Sequence, residues 1–405
     1  MQIKVTRRQF LSTAALFSAI GVAPQFLVRA VEGQQREAAP PANDKILVVV
    51  QLGGGNDGLN MLAPYGDDAY YRARPTLALK KDRVLPLNEY AGLNGGMADL
   101  MRLYDNGRVA LIQGVGYPNP DRSHFRSMEI WQSASDADEY LHTGWIGRYF
   151  DNTCDGSARP QIGVAVGPER PQAFEGEKGF GVAFDRPDRY GWKPGKAGDT
   201  AANFEKLNRP VETPNTTLDF LRHTTSNAIL SSAEVREASD RAGFQGGGRG
   251  AEALKTVAAL IRGGLATRVY YVSAGGFDTH TNQRGQHDNL LQRVASGLAE
   301  FQDTLERDGT ADRVVTMVFS EFGRRVQENA SRGTDHGSAA PMILLGRGVQ
   351  AGLHGQTPSL SDLDRGDLKH TVDFRSVYAT VLEKWLQVDS APILGREFEI
   401  LPLLG

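Results

Sequence analysis

Val269-Tyr-Tyr-Val-Ser273 leads into Gly275-Gly-Phe-Asp278-Thr-His280, so that a β-rich run ends directly in a group of metal-type ligands. The same arrangement occurs twice more. Val314-Val-Thr-Met-Val-Phe319 is followed by Ser320-Glu321-Phe-Gly-Arg324, and Gly333-Thr-Asp335-His336-Gly stands just ahead of the apolar run Met342-Ile-Leu-Leu345. In open α/β sheets the chemistry sits in the crevice at the carboxyl ends of the strands. Carboxylates and imidazoles gathered there predict a site for one or two divalent ions and, with it, metal-assisted hydrolysis. These residue types leave zinc, magnesium, manganese and calcium all open.

Working outward, Ile46-Leu-Val-Val-Val-Gln-Leu52 is a continuous run of the kind buried on both faces of a parallel sheet. Val109–Gln113 and Ile162–Val166 predict further strands. Helical spacing covers Met97–Asn106, Ser123–Ser133, Gly144–Asn152, Thr217–Arg241, Ala251–Arg262, Gly285–Arg307 and Thr371–Gln387. Alternating strands and helices predict a doubly wound α/β fold with a mostly parallel central sheet and helices on both faces. Residues 168–215 are rich in Gly, Pro and charge and read as an insertion capping the site, within a single domain over 45–405.

The amino terminus reads as a targeting segment rather than part of the fold. Thr6-Arg7-Arg8-Gln9-Phe10-Leu11 resembles a twin-arginine export motif, and a mild apolar stretch follows to Val28. Residues 1–30 are expected to be the signal and 31–44 a linker. The protein would then meet the twin-arginine export machinery and end up periplasmic or secreted. The apolar stretch is too interrupted for a stable membrane span.

Net charge over the 405 residues is −3; residues 1–30 carry four bases (Lys4, Arg7, Arg8, Arg29) and no acid, so their removal would take it to −7. Nucleic acid is therefore not an expected partner. The one cysteine, Cys154, excludes an intramolecular disulfide and a thiolate zinc cluster.

Gly53-Gly-Gly-Asn56-Asp57-Gly58 follows the first strand without the spacing of a dinucleotide or phosphate loop. Its glycines let the backbone turn sharply and present Asn56 to a substrate and Asp57 to a metal, or else Asp57 makes an ordinary Asx turn. Asp278 and His280, two apart, point the same way in extended chain and read as a ligand pair, or as a loop in which Asp278 orients His280. Glu321 closes a hydrophobic strand, where a carboxylate needs a metal or a partner such as Arg324 or Arg325. Of Asp335 and His336, one is expected to ligate and the other to orient it. Ser123 is the candidate nucleophile, at a helix start that favours an anionic substrate, and alternatively an ordinary N-cap. Arg122 and His124 are candidate substrate contacts. His287 reads as an exposed helix residue, and Asp373 as a capping acid.

Taken together, the segments at 52–60 (LGGGNDGLN), 123–132 (SHFRSMEIWQ), 144–148 (GWIGR), 275–283 (GGFDTHTNQ), 320–342 and 371–386 resemble the bacterial family known as domain of unknown function 1501. The likeness covers nearly the whole chain. That family is similar to the alkaline phosphatase and sulfatase superfamily. The resemblance implies an alkaline phosphatase-like fold, with a first-strand aspartate at Asp57, a nucleophile at Ser123 and metal ligands at Asp278, His280, Glu321 and His336. The chain departs from the superfamily pattern in having Glu321-Phe322 where an Asp-His pair is usual. Asp278 and His280 also stand closer together than the usual spacing. Ser123-His-Phe-Arg126 lacks the proline of a formylglycine motif. The resemblance implies an exported metal-dependent hydrolase of phosphate or sulfate esters, on small molecules or polysaccharides. The alternative is a non-catalytic periplasmic protein that keeps the fold to bind a ligand or polysaccharide.

Overall fold

The computed structural model describes residues 44–153, 160–177, 181–191 and 216–405. The expected signal, all of the linker but Asp44, and Cys154 lie outside these residues. Chain contacts separate a larger unit, Asp44–Tyr190 with Ser231–Gly405, from a smaller one, Met1–Asn43 with Gly191–Leu230. Where the sequence reading draws one domain over 45–405, the contacts thus set 191–230 apart. The described part of the smaller unit is Gly191 and part of a helix spanning Thr216–Arg241. The sheet and the candidate site belong to the larger unit.

Among the described residues the central sheet has nine strands. In chain order they are β1 (Ile46–Gly53), β2 (Val109–Gly116), β3 (Gly163–Val166), β4 (Val182–Phe184), β5 (Val269–Gly275), β6 (Val314–Phe319), β7 (Ala340–Leu345), β8 (Gly352–His354) and β9 (Val372–Asp373). Their order in space is β8-β2-β7-β6-β1-β5-β3-β4, with β9 beside the end of β2. β7 alone runs antiparallel to its neighbours, β2 and β6. The other pairings are parallel.

β1 shows why its sequence makes a central strand. Side chains alternate between faces with period two. Ile46, Val48, Val50 and Leu52 enter one core, while Leu47 and Val49 enter the other. The first core is closed by helices at Ala98–Asp105, Ala253–Arg262 and Gln283–Arg307. The second is closed by helices at His124–Ser133, Trp145–Thr153 and Phe374–Thr380. There Trp131 stacks on Phe319 and Phe374 at centroid distances of 5.0 and 4.3 Å. Both faces of the sheet are thus covered by helices, as the alternation of elements predicts.

Two elements differ from the sequence reading. Within the expected insertion at 168–215, Val182–Phe184 forms the edge strand β4, and Ala173 and Phe174 are buried in the second core. This part of the segment completes the sheet instead of capping the site, because its short apolar stretches can pair and pack even between glycines and charges. The closing helix begins at Phe374 rather than Thr371. Val372 and Asp373 pair with the end of β2, and the Asp373 carboxylate accepts the Arg375 N–H as an N-cap.

Register places the site. Gly53 at the end of β1 lies opposite Gly275 at the end of β5, and Gln51 lies opposite Phe319 at the end of β6. The chain following β1, β5 and β6 therefore emerges on one edge of the sheet. Because β7 is antiparallel, the residues that precede it, including Asp335 and His336, come to the same edge. So do those after β2, including Ser123 and His124.

Candidate metal centre

Three imidazoles meet one carboxylate at this edge. Asp278 Oδ1 lies 2.9 Å from His280 Nε2 and 3.1 Å from His336 Nε2. Asp278 Oδ2 lies 3.5 Å from His124 Nε2. The Nε2 atoms of His280 and His336 are 3.0 Å apart. One ligand atom from each of His124, Asp278 and His336 fits within a 4.8 Å span.

The far side of each ring is anchored to an oxygen. His336 Nδ1 is 2.8 Å from the Arg122 carbonyl, which accepts only, so this nitrogen carries the proton. His124 Nδ1 donates to Glu321 Oε1 at 2.9 Å, and His280 Nδ1 faces Asp335 Oδ1 at 3.3 Å. With the proton on Nδ1, each Nε2 turns a lone pair toward Asp278. Lone pairs of two imidazoles and a carboxylate then converge within about 3 Å. Such a set of acceptors is stable around a cation, and oxygen-anchored imidazoles are the usual way proteins hold metal-ligating histidines. The residues present therefore fit a divalent ion.

Electrostatics agree. Burial pushes the Asp278 carboxyl up, but the Arg324 guanidinium bonded to it prevails and brings it down to about 2. Burial lowers the His336 imidazole, helped by the nearby Arg324 and His124. Asp335 is held down first by its bond from Asn329 and then by His280. Anionic carboxylates and neutral imidazoles are the forms that bind metal.

Arg324 ties the loops together. Its guanidinium donates to Asp278 Oδ1 at 2.7 Å and to the carbonyls of Gly54, Gly55, Phe277 and Thr334. The glycines are needed here. Gly54 has φ +118, and a Cβ on it would strike the backbone of Phe277 and Asp278. Phe322 fills the floor, with its ring 4.9 Å from His124 and 4.7 Å from His336.

Several residues read from the sequence stand elsewhere than expected. Asp57 is fully buried and faces Arg74 at 2.6 Å, with Gln283 also donating to it. Burial raises its carboxyl, yet Arg74 and His287 together lower it overall. It is an ion-paired residue outside the imidazole group. Asn56, expected to face substrate, is buried. Its backbone N–H donates to Ser320 Oγ, and its Oδ1 faces His287 Nε2 at 2.9 Å. His287 is itself buried against Phe277, not exposed. Glu321 does not pair with Arg324 or Arg325. It accepts from the Gly54 N–H at 2.8 Å and from His124, a position that orients a ligand rather than supplying one. Asp335 likewise stands behind His280. Arg122 is engaged by Asp367 at 2.5 Å, and its carbonyl holds His336. His124, expected to touch substrate, turns into the group instead.

Ser123 is exposed at the N-cap of the ten-residue helix His124–Ser133, and its side chain makes no capping bond. Its carbonyl accepts from Ser127, while Asp121 takes its N–H at 2.6 Å. The hydroxyl is thus left facing solvent one residue from His124. Sequence reasoning missed His124 as a member of the imidazole group, Arg324 as the knot of the loops, and Arg74 and Asp367 as partners. The Arg324 signal was visible in Ser320-Glu-Phe-Gly-Arg324, but the carboxylate it serves comes from β5.

Residues 110–400 match the family described as protein of unknown function DUF1501, so the chain belongs to that family. No curated protein matches the sequence. Among solved structures it is similar to a protein in the alkaline phosphatase superfamily from Vibrio parahaemolyticus, at 12% identity and a TM-score of 0.40, over 88% of this chain and 69% of that one. It is also similar to a lipoteichoic acid synthase from Listeria monocytogenes (10% identity, TM-score 0.36, over 90% and 77%). A sulfatase from Pseudoalteromonas sp. shows 10% identity and a TM-score of 0.36, over 93% and 72%.

Proposed function

We propose that this member of the DUF1501 family is an exported, metal-dependent hydrolase of phosphate or sulfate esters, with Ser123 as nucleophile. The observation that carries the reading is the convergence of His124, His280 and His336 on Asp278, one residue from an exposed serine hydroxyl at a helix amino end. A divalent ion held by these four side chains would supply Lewis-acid stabilisation of the ester's charge and make a nearby hydroxyl easier to ionise.

The chain's own groups do the rest. The first turn of the helix at His124 presents backbone N–H groups and the positive end of the dipole to an anionic ester. Ser123 Oγ bonds to phosphorus or sulfur as the ester's alcohol leaves, and the serine proton reaches the leaving oxygen through solvent. Water then releases inorganic phosphate or sulfate and restores the serine. Glu321 and the Arg122 carbonyl keep His124 and His336 in fixed tautomers throughout. Arg324 holds Asp278 anionic beside them.

A second reading is favoured by one observation. Among the described residues no base is hydrogen-bonded to the Ser123 hydroxyl, as a non-catalytic protein that binds a ligand or polysaccharide through the same metal would allow. Turnover by metal-loaded protein on phosphomonoester, phosphodiester and sulfate-ester substrates separates the two. The hydrolase reading predicts activity in the parent and a loss of at least about 100-fold in Ser123→Ala, at unchanged metal content. The Ser123 hydroxyl makes no capping bond, so its removal is expected to leave stability nearly unchanged. Turnover by Ser123→Ala within a few-fold of the parent would reject the nucleophile. No turnover by the loaded parent would leave the binding protein.

A further inference from the structure

The donor set itself chooses among metals. Calcium takes six to eight oxygens, and magnesium prefers an octahedral shell of oxygens and water, whereas imidazole suits zinc, cobalt, nickel and copper. Here three of the four converging donors are imidazole nitrogens, and Asp278 is the one carboxylate.

The neighbouring carboxylates are committed elsewhere. Glu321 accepts from Gly54, His124 and Ser320. Asp335 accepts from Asn329 and faces His280 Nδ1. Asp57 is held by Arg74. In these contacts Glu321 and Asp335 back imidazole rings and Asp57 pairs with an arginine, so among the described residues Asp278 is the one carboxylate in the converging set.

Charge points the same way. Arg324, itself buried, sits 2.7 Å from Asp278 Oδ1, so its positive charge offsets the single negative charge of the donor set. A hard cation, bound chiefly by net negative charge and oxygen number, gains little there. A borderline ion that bonds strongly to imidazole nitrogen keeps three good ligands. Each of these is already in the correct tautomer through Glu321, Asp335 or the Arg122 carbonyl.

We propose that the His124, His280, His336 and Asp278 site selects an imidazole-preferring transition ion of the zinc class over calcium and magnesium, and that Glu321 and Asp335 are positioning residues for this choice. The inference rests on the metal-centre reading above, and not on the hydrolase reading.

The test is a titration of the full, metal-stripped chain with zinc, cobalt(II), calcium and magnesium salts. Zinc is expected at one ion per chain and to stay bound against an about 1,000-fold excess of calcium or magnesium. Cobalt(II) should give the intense visible absorption of a four- or five-coordinate site. Glu321→Gln should weaken zinc binding by about 10- to 100-fold, with the melting point of the metal-free protein little changed. Asp335→Ala, at a half-exposed position, should weaken it in the same direction without a folding risk. Displacement of zinc by calcium or magnesium, failure to bind zinc, or unchanged zinc affinity in both variants would overturn the inference. A zinc-loaded chain that hydrolyses no ester would remove the hydrolase reading and leave this one. Ester hydrolysis with calcium or magnesium bound in place of zinc would do the reverse.

Discussion

Asp57 and Asp278 follow adjacent parallel strands and carry the same side chain, yet their neighbours give them different work. Asp278 is half exposed and turns toward three imidazoles. Asp57 is fully buried, with Arg74 on one oxygen, while its Oδ1 has no partner among the described residues. A buried ion pair adds little net stability, but removing one partner strands the other charge, at a cost of about 3–5 kcal/mol. Arg74→Met is therefore expected to lower unfolding stability by about 3–5 kcal/mol in urea melts, while zinc per folded chain stays as in the parent. A loss below about 1 kcal/mol would show that Asp57 holds no buried charge. The opposite pattern, intact stability with lost zinc, would return Asp57 to the metal centre. The sequence makes both aspartates visible as candidates. It does not show which faces an arginine, since Arg74 lies 17 positions on, just past the end of the short helix Asp68–Ala73.

At the scale of elements, the continuous Val, Ile and Leu runs announce buried strands, because they are short and rich in β-branched side chains, which suit a strand covered on both faces better than a helix. The helices at 98–105, 253–262 and 283–307 are legible from their periodicity. β4 and β9 are not, since strands of three and two residues carry too little pattern and exist only because a neighbour offers a ladder. His287 illustrates the same limit. Helical spacing gives its position but not that Asn56 and Phe277 close over it. The segment 1–30 is read from sequence alone, and there Arg7 and Arg8 precede an apolar stretch with no acidic residue before Glu32. Changing both to Lys is expected to leave unprocessed precursor in the cytoplasm, seen by fractionation and mass. Mature protein outside the cytoplasm at the parent's level would refute the export role.

For the molecule as a whole, the sheet is what brings scattered candidate ligands together. His124, Asp278 and His336 are far apart in sequence and are joined because β2, β5 and β6 are co-directional and β7 runs against them. The ligand-bearing loops could be found from the pattern of strand followed by cluster. Their division into ligands and orienting residues could not, because Glu321, Asp335 and Arg122 take their roles from partners contributed by other strands. The central claim is that one cation sits among His124, His280, His336 and Asp278. Anomalous diffraction at the zinc absorption edge, on crystals of protein purified without chelators and loaded with zinc, tests it most directly. The account predicts one strong peak per chain bounded by the three Nε2 atoms and the Asp278 carboxylate. A peak beside Asp57, or none at all with the three imidazoles still in place, would contradict it.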